Sequence, residues 1–224
     1  MTARVRILAA VLATAVAAAV LGPVARPDDG LLRSPDGDTV EVTDAARARS
    51  FAFDPTVVPA QRAWIEAALA AARPEAARLI AEVDGLTTIA VFDQAGPGRQ
   101  PLGVASGGAE GFRVELNATR LDGDKALDRA TVVLHELGHV VDFALVPAAM
   151  GAQLDAGIPP TADCREIVNC DDPTERFADT FAKWALGGAV SAVGAGYGIA
   201  TPPSLEDWGA PLGRLSFELV AARE

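Results

Sequence analysis

The sequence predicts an α+β fold: a small mixed sheet with a largely helical C-terminal half. Three observations carry this expectation. Apolar residues recur at helical spacing in 59–72, in 125–144 and in the stretch that begins at Asp172. Two short runs, 87–92 and 112–116, are β-branched or alternate apolar with polar residues. Setting the N-terminus aside leaves roughly 200 residues, the size of one domain with an adequate core.

Arg4 and Arg6 precede an uncharged run over 7–21, and Gly22, Pro23, Val24 and Ala25 follow it. That order is the layout of a secretory signal peptide. An uncleaved N-terminal anchor is the rival reading, although the run falls short of the about 20 apolar residues that span a bilayer comfortably. Residues 1–25 are therefore expected to direct the chain to a secreted or extracytoplasmic location. Residues 26–50 read as a flexible leader rich in Pro, Gly, Asp and Arg, with a weakly alternating strand at 39–43. The folded domain is expected over 51–224.

Within it, 59–72 has helical spacing, and Pro74 opens a second helix over 74–83 that Gly85 ends. Residues 87–92 read as a buried strand. The glycine-rich stretch 96–111 reads as a loop, without the spacing, the following helix or the lysine of a phosphate cradle. Residues 112–116 read as a half-exposed strand. Asn117-Ala118-Thr119 is a glycosylation triplet of a kind common by chance. Asp122, Asp124 and Asp128 match a calcium loop only faintly, lacking its glycine and closing glutamate, and read as solvated acids near a helix start.

The helix over 125–144 ends before Pro147, and Val132, Val133, Leu137, Val140 and Val141 are its packing face. Asp172 is an N-cap, Pro173 fits the first helical position, and Gly187 is a C-terminal stop. Phe177, Phe181 and Trp184 at helical spacing, together with Trp64, read as core. The tail is rich in Gly and Pro around 197–203, with a last short helix expected over 218–223.

The 30 acidic against 19 basic residues argue against nucleic-acid binding and for an anionic surface. Cys164 and Cys170 bracket a short polar loop, and in an exported chain a disulfide is expected, worth about 2 kcal/mol. Free thiols are the alternative, and a two-cysteine zinc site fits the spacing less well.

The only two histidines, His135 and His139, stand four apart around Glu136 in His135-Glu136-Leu137-Gly138-His139. Four residues is about one helical turn, so both imidazoles share a helix face and can hold one zinc ion. Glu136 can take a proton from water at such an ion. With no further histidine, the third ligand is expected to be a carboxylate or, failing that, a cysteine. Glu175 is the leading candidate, with Asp179 one turn later placed to orient a ligand histidine. A competing reading makes Glu175 the partner of Asp172 in a capping box. Asp142, on the same face as the histidines, could ligate or orient a neighbour. Asp171 and Asp172 are the remaining candidates.

The histidine motif resembles that of zincin metallopeptidases. Glu175 with Asp179 resembles the Glu-x-x-x-Asp element of the gluzincin branch, as in thermolysin-like enzymes, and Phe177-Ala178 between them is similar to the Glu-x-Phe-Ala pattern of several bacterial gluzincin-like families. The 35 residues separating His139 from Glu175 are nearer the spacing of lethal-factor-like peptidases. The resemblance covers the two helices of the site and no more. This chain has no later histidine for the oxyanion, no third histidine of the metzincin kind and no Gly-Thr-x-Asp element of the aspzincin kind. Tyr197, the only tyrosine, could donate to the oxyanion or be an ordinary packed or surface residue.

The resemblance implies a zincin-like fold and zinc-dependent hydrolysis of peptide bonds, with Glu136 as general base. It implies a peptide or protein substrate pairing along 112–116 as the sheet edge, no nucleic acid, and a membrane only if the N-terminal segment is retained. Two other readings remain: a zinc amide hydrolase acting on a non-protein substrate, and a catalytically silent zincin-like domain that binds a partner at the cell surface.

Overall fold

The structure is a computed structural model that describes residues 51–96, 100–123, 128–161, 170–188 and 198–223. The expectations for 1–50, for Asp124, Cys164 and Tyr197, and for the start of the 125–144 helix lie outside the described residues. Among the described residues no helix is long and apolar enough to cross a membrane.

The chain is α+β, with a four-stranded mixed sheet and helices that dominate the second half. Strand β1 (Ala52–Phe53) leads to α1 (Pro59–Ala70) and α2 (Pro74–Val83), each with proline in its first turn, where the missing N–H costs nothing. After a short 3-10 turn at Asp84–Leu86 come β2 (Thr87–Phe92), β3 (Gly103–Gly108) and β4 (Gly111–Asn117). The spatial order is β1-β2-β4-β3, with β1, β2 and β4 parallel and β3 antiparallel to β4.

Two sequence expectations fail here. The glycine-rich stretch is not all loop, because β3 pairs along β4 from Gly103↔Leu116 to Gly108↔Gly111. Backbone pairing needs no side-chain pattern, so a run of Gly103-Val-Ala-Ser-Gly-Gly108 shows no strand periodicity although it forms a strand. Consequently β4 is not the sheet edge. It lies between β2 and β3, and β3 holds the edge.

Asn117 ends β4, fully buried. Its side-chain amide donates to the carbonyls of Gln94 and Pro101, and its Oδ1 accepts from Gln94 N. This pins the segment leading into β3, and it accounts for Asn117 as a structural residue. Asp122, expected to be a solvated acid, is exposed and also accepts from Trp64 Nε1 (3.0 Å) and Gln61 Nε2 (2.9 Å), tying α1 to the end of α3 (Ala118–Leu121).

Helix α4 (Arg129–Leu145) starts where the Asp128 side chain accepts from Thr131 N. It is buried on nearly every face from Thr131 to Asp142, including all five of its expected packing residues. Such a helix is the centre of the domain, contacting the sheet, α1, α2 and α6 (Pro173–Ala185). Helix α5 (Ala148–Ala156) was not legible in the sequence, because only Leu154 on it is buried and no apolar stripe marks it.

Helix α7 (Leu205–Ala221) replaces the short last helix expected over 218–223. Ser204 caps it through Asp207 N, and it continues through Gly209 and Pro211, residues that read as breakers. Tertiary packing overrides propensity: Trp208, Leu212 and Leu215 are buried, and Trp208 Nε1 donates to the Leu154 carbonyl.

Candidate metal centre

The site forms where the middle of α4 meets the first turns of α6. His135 and His139 project from one face of α4, and their Nε2 atoms stand 3.2 Å apart. Asp172 caps α6 by accepting from Thr174 N, so Pro173 begins the helix and Glu175 falls in its first turn. The Glu175 carboxylate reaches to 3.2 Å from His135 Nε2 and 3.8 Å from His139 Nε2. Glu175 thus faces the imidazoles and not the Asp172 backbone, which resolves the capping-box alternative.

Two features hold α6 at that distance. Gly138 sits inside the motif against Ala178, and a Cβ built there would lie 3.1 Å from Ala178 Cα and 3.2 Å from Phe181 Cδ1. Arg176, next to Glu175, is buried and donates to the Asp155 carboxylate (2.6 Å) and to the carbonyls of Asp155, Ile158 and Pro159. It locks the start of α6 to the end of α5. Sequence reading missed this role because a charged residue in a helical first turn ordinarily faces water.

Burial decides the protonation of the imidazoles. It pushes His135 down to about 3, with Asp179 pulling the other way and Lys183 adding to the drop. It pushes His139 down to about 4, helped by His135 and opposed by Glu175 and Asp172. Both rings are therefore neutral near pH 7, the form that ligates metal, and their contact with Glu175 is not a charge pair. Glu175 itself is raised by burial, so its anionic form lacks the solvation a carboxylate wants.

Three ligand-type atoms from two helices thus converge. A four-coordinate ion with bonds of about 2.0–2.1 Å separates its ligand atoms by about 3.4 Å. The spacings of 3.2, 3.2 and 3.8 Å match that geometry. Among the described residues, His135, His139 and Glu175 are the group close enough to hold a metal ion.

Asp179, one turn beyond Glu175, is fully buried and near enough to His135 to act on its charge. It also pairs with the buried Lys183 (2.5 Å), whose Nζ donates onward to the Ile199 carbonyl. Asp142 is buried on α4 but is not part of the cluster, whose third member is Glu175. Phe143 stacks on the His139 ring with centroids 5.9 Å apart and remains partly exposed. Cys170 is buried just before α6, and its expected disulfide partner Cys164 lies outside the described residues.

Glu136, between the histidines in sequence, turns to the other side of the site. Its carboxylate lies against Gly103, the first residue of the edge strand β3. The carboxylate of the residue between the two histidines thus lies against an edge strand of the sheet. Sequence reading treated Gly103 as part of a loop, and no periodicity would have marked it.

Comparison with protein-family models, with curated proteins and with solved structures finds no match, so the arrangement of the site rests on its own geometry.

Proposed function

We propose that the protein is a secreted zinc-dependent peptidase of gluzincin-like type, with His135, His139 and Glu175 as ligands and Glu136 as general base. The observation that carries this reading is the convergence of a carboxylate from α6 on the imidazole pair of α4, with a second carboxylate, from the residue between the histidines, against Gly103 of β3. A zinc ion held there would supply the Lewis acidity that brings the pKa of a water to about 7 and polarises the scissile carbonyl.

The chain's own residues do the rest. Glu136 accepts the proton of the attacking water and passes it to the leaving nitrogen. Asp179 orients His135 and is itself held by Lys183. Among the described residues no strand pairs with the outer edge of β3, whose backbone donors and acceptors take an extended peptide and bring the bond to be cut beside Glu136. This edge takes the role that the sequence suggested for 112–116.

Zinc content and hydrolysis of dye-labelled casein, measured side by side, test the reading. Wild type is expected to carry about one zinc and to hydrolyse. Glu136→Gln should keep the zinc and lose about 100- to 10,000-fold in kcat, the usual worth of a general base. Glu175→Ala should lose stoichiometric zinc. Zinc that survives Glu175→Ala, or hydrolysis that survives Glu136→Gln, overturns the assignment.

A further inference from the structure

We propose that Gly103 is a positioning residue for Glu136: the bare Cα of the edge strand is the surface against which the carboxylate of the base is set. This rests on the reading of Glu136 as general base and adds to it a residue on a different element.

The argument begins with what a side chain at this position would meet. A Cβ built on Gly103 would lie 2.6 Å from Glu136 Cγ and 2.7 Å from both its Cδ and its Oε1. These are its three nearest neighbours, and all belong to the distal half of one flexible side chain. The carboxylate therefore occupies the volume that any other residue's Cβ would take. Only 3% of Glu136 is exposed, so the strand and not solvent bounds it on this side.

Strand and carboxylate differ in what they can yield. Gly103 pairs with Leu116, the preceding Leu102 carbonyl accepts from Asn117 N, and the Asn117 amide holds the Pro101 carbonyl. Three consecutive anchors of this sort leave the backbone little room to move. The Glu136 side chain has rotatable bonds that cost far less to turn. A methyl at position 103 is thus relieved by moving the carboxylate.

The other glycines of β3 do not share this property. A Cβ at Gly107 would meet the Gly111 carbonyl oxygen at 2.4 Å, on a backbone with φ +145°, so that glycine serves the turn. A Cβ at Gly108 would meet nothing within 4 Å. Of the three, only Gly103 bears on the base.

Relieving contacts of 2.6–2.7 Å to ordinary van der Waals distance moves the carboxylate by about 1 Å, and a displacement of that size costs about 100-fold in rate. The test is Gly103→Ala beside Gly213→Ala, a glycine of α7 away from the site, in zinc-loaded protein. For Gly103→Ala we expect unchanged zinc content and thermal midpoint, unchanged KM, and a kcat about 100-fold lower on dye-labelled casein. Gly213→Ala, whose Cβ would lie 3.8 Å from Glu75 Cγ, should match wild type in zinc content, KM and kcat. A crystal structure of Gly103→Ala supplies a readout independent of substrate, with the β3 backbone in place and the Glu136 carboxylate turned away.

Wild-type turnover in Gly103→Ala overturns the proposal, as does a kcat loss accompanied by lost zinc or a lowered midpoint. A displaced strand with an unmoved carboxylate also overturns it. If wild type itself holds zinc but cleaves no casein, the peptidase reading fails, while the crystallographic outcome still decides the role of Gly103.

Discussion

Two walls enclose His135, Glu136 and His139, and they are built in opposite ways. The wall formed by α6 is bulky and cross-tied: Phe177, Phe181 and Trp184 fill it, Arg176 locks its start, and Lys183 pairs with Asp179 inside it. The wall formed by β3 is nearly bare, with glycine at three of its six positions and main-chain pairing as its support. The α6 wall carries the third ligand and much of the core, so damage there should reach stability and metal together. The β3 wall carries no ligand and meets the base at Gly103, so damage at that position should reach turnover alone.

The largest expected effect lies in the α6 wall. Phe181 is fully buried, with its ring against those of Phe177 (6.0 Å) and Trp184 (5.8 Å). Phe181→Ala is expected to cost about 3–5 kcal/mol of stability by opening a cavity. Because Phe181 also backs Gly138, zinc retention should fall with it. Urea denaturation and elemental analysis of the same preparation check both. Lost stability with zinc affinity untouched would separate core from site, against the comparison drawn here.

Acid should act mainly through the two imidazoles that the walls enclose. With the metal stripped, His135 and His139 have folded pKa values near 3 and 4, below the ordinary value of 6.5. A depressed histidine binds its proton more readily when unfolded, so its contribution to stability is whole above about pH 6.5 and is lost as pH falls toward 4. The loss approaches about 1.4 kcal/mol per pH unit for each imidazole. Glu175, raised by burial, binds its proton more readily when folded and so offsets part of the loss. Urea midpoints of chelator-treated protein at pH 7, 6 and 5 should decline in that order. A flat profile would mean that the rings are solvated or already charged.

The two walls also differ in how far the sequence revealed them. The α6 wall was legible: Asp172 and Pro173 announce its start, aromatic residues recur at helical spacing, and Glu175 with Asp179 stands one turn apart. Its ties were not legible, because Arg176 and Lys183 are charges whose burial depends on carbonyls from distant segments. The β3 wall was invisible, since glycine carries no apolar period and a strand held by backbone pairing leaves no mark on side-chain pattern. The sheet edge was therefore assigned one strand too far in, to β4. Helix α7 failed for a related reason: Gly209 and Pro211 signal a break locally, while buried Trp208 and Leu212 hold the helix through contacts that only the folded chain makes.

The smallest effect is the most discriminating, because it repeats at the α6 wall the substitution proposed at the β3 wall. Gly138→Ala adds one methyl that would sit 3.1 Å from Ala178 Cα, 3.2 Å from Phe181 Cδ1 and 3.3 Å from the Ala178 carbonyl oxygen. Two of those three neighbours are backbone atoms of α6, so no side-chain rotation relieves them and the helix must retreat by a few tenths of an ångström. Alanine in mid-helix gains about 1 kcal/mol over glycine, and overpacking costs about 1–3 kcal/mol. The balance is a loss of about 1 kcal/mol, or about 2–4 °C in thermal midpoint for a chain of this size. The same retreat draws Glu175 away from His135, so zinc should dissociate faster, while the contact of Glu136 with Gly103 on the opposite side is untouched. One methyl is thus expected to weaken metal retention at position 138 and to slow turnover at position 103. If Gly138→Ala instead stabilises the protein and leaves zinc dissociation unchanged, the bare position in α4 does not set the spacing of the ligands.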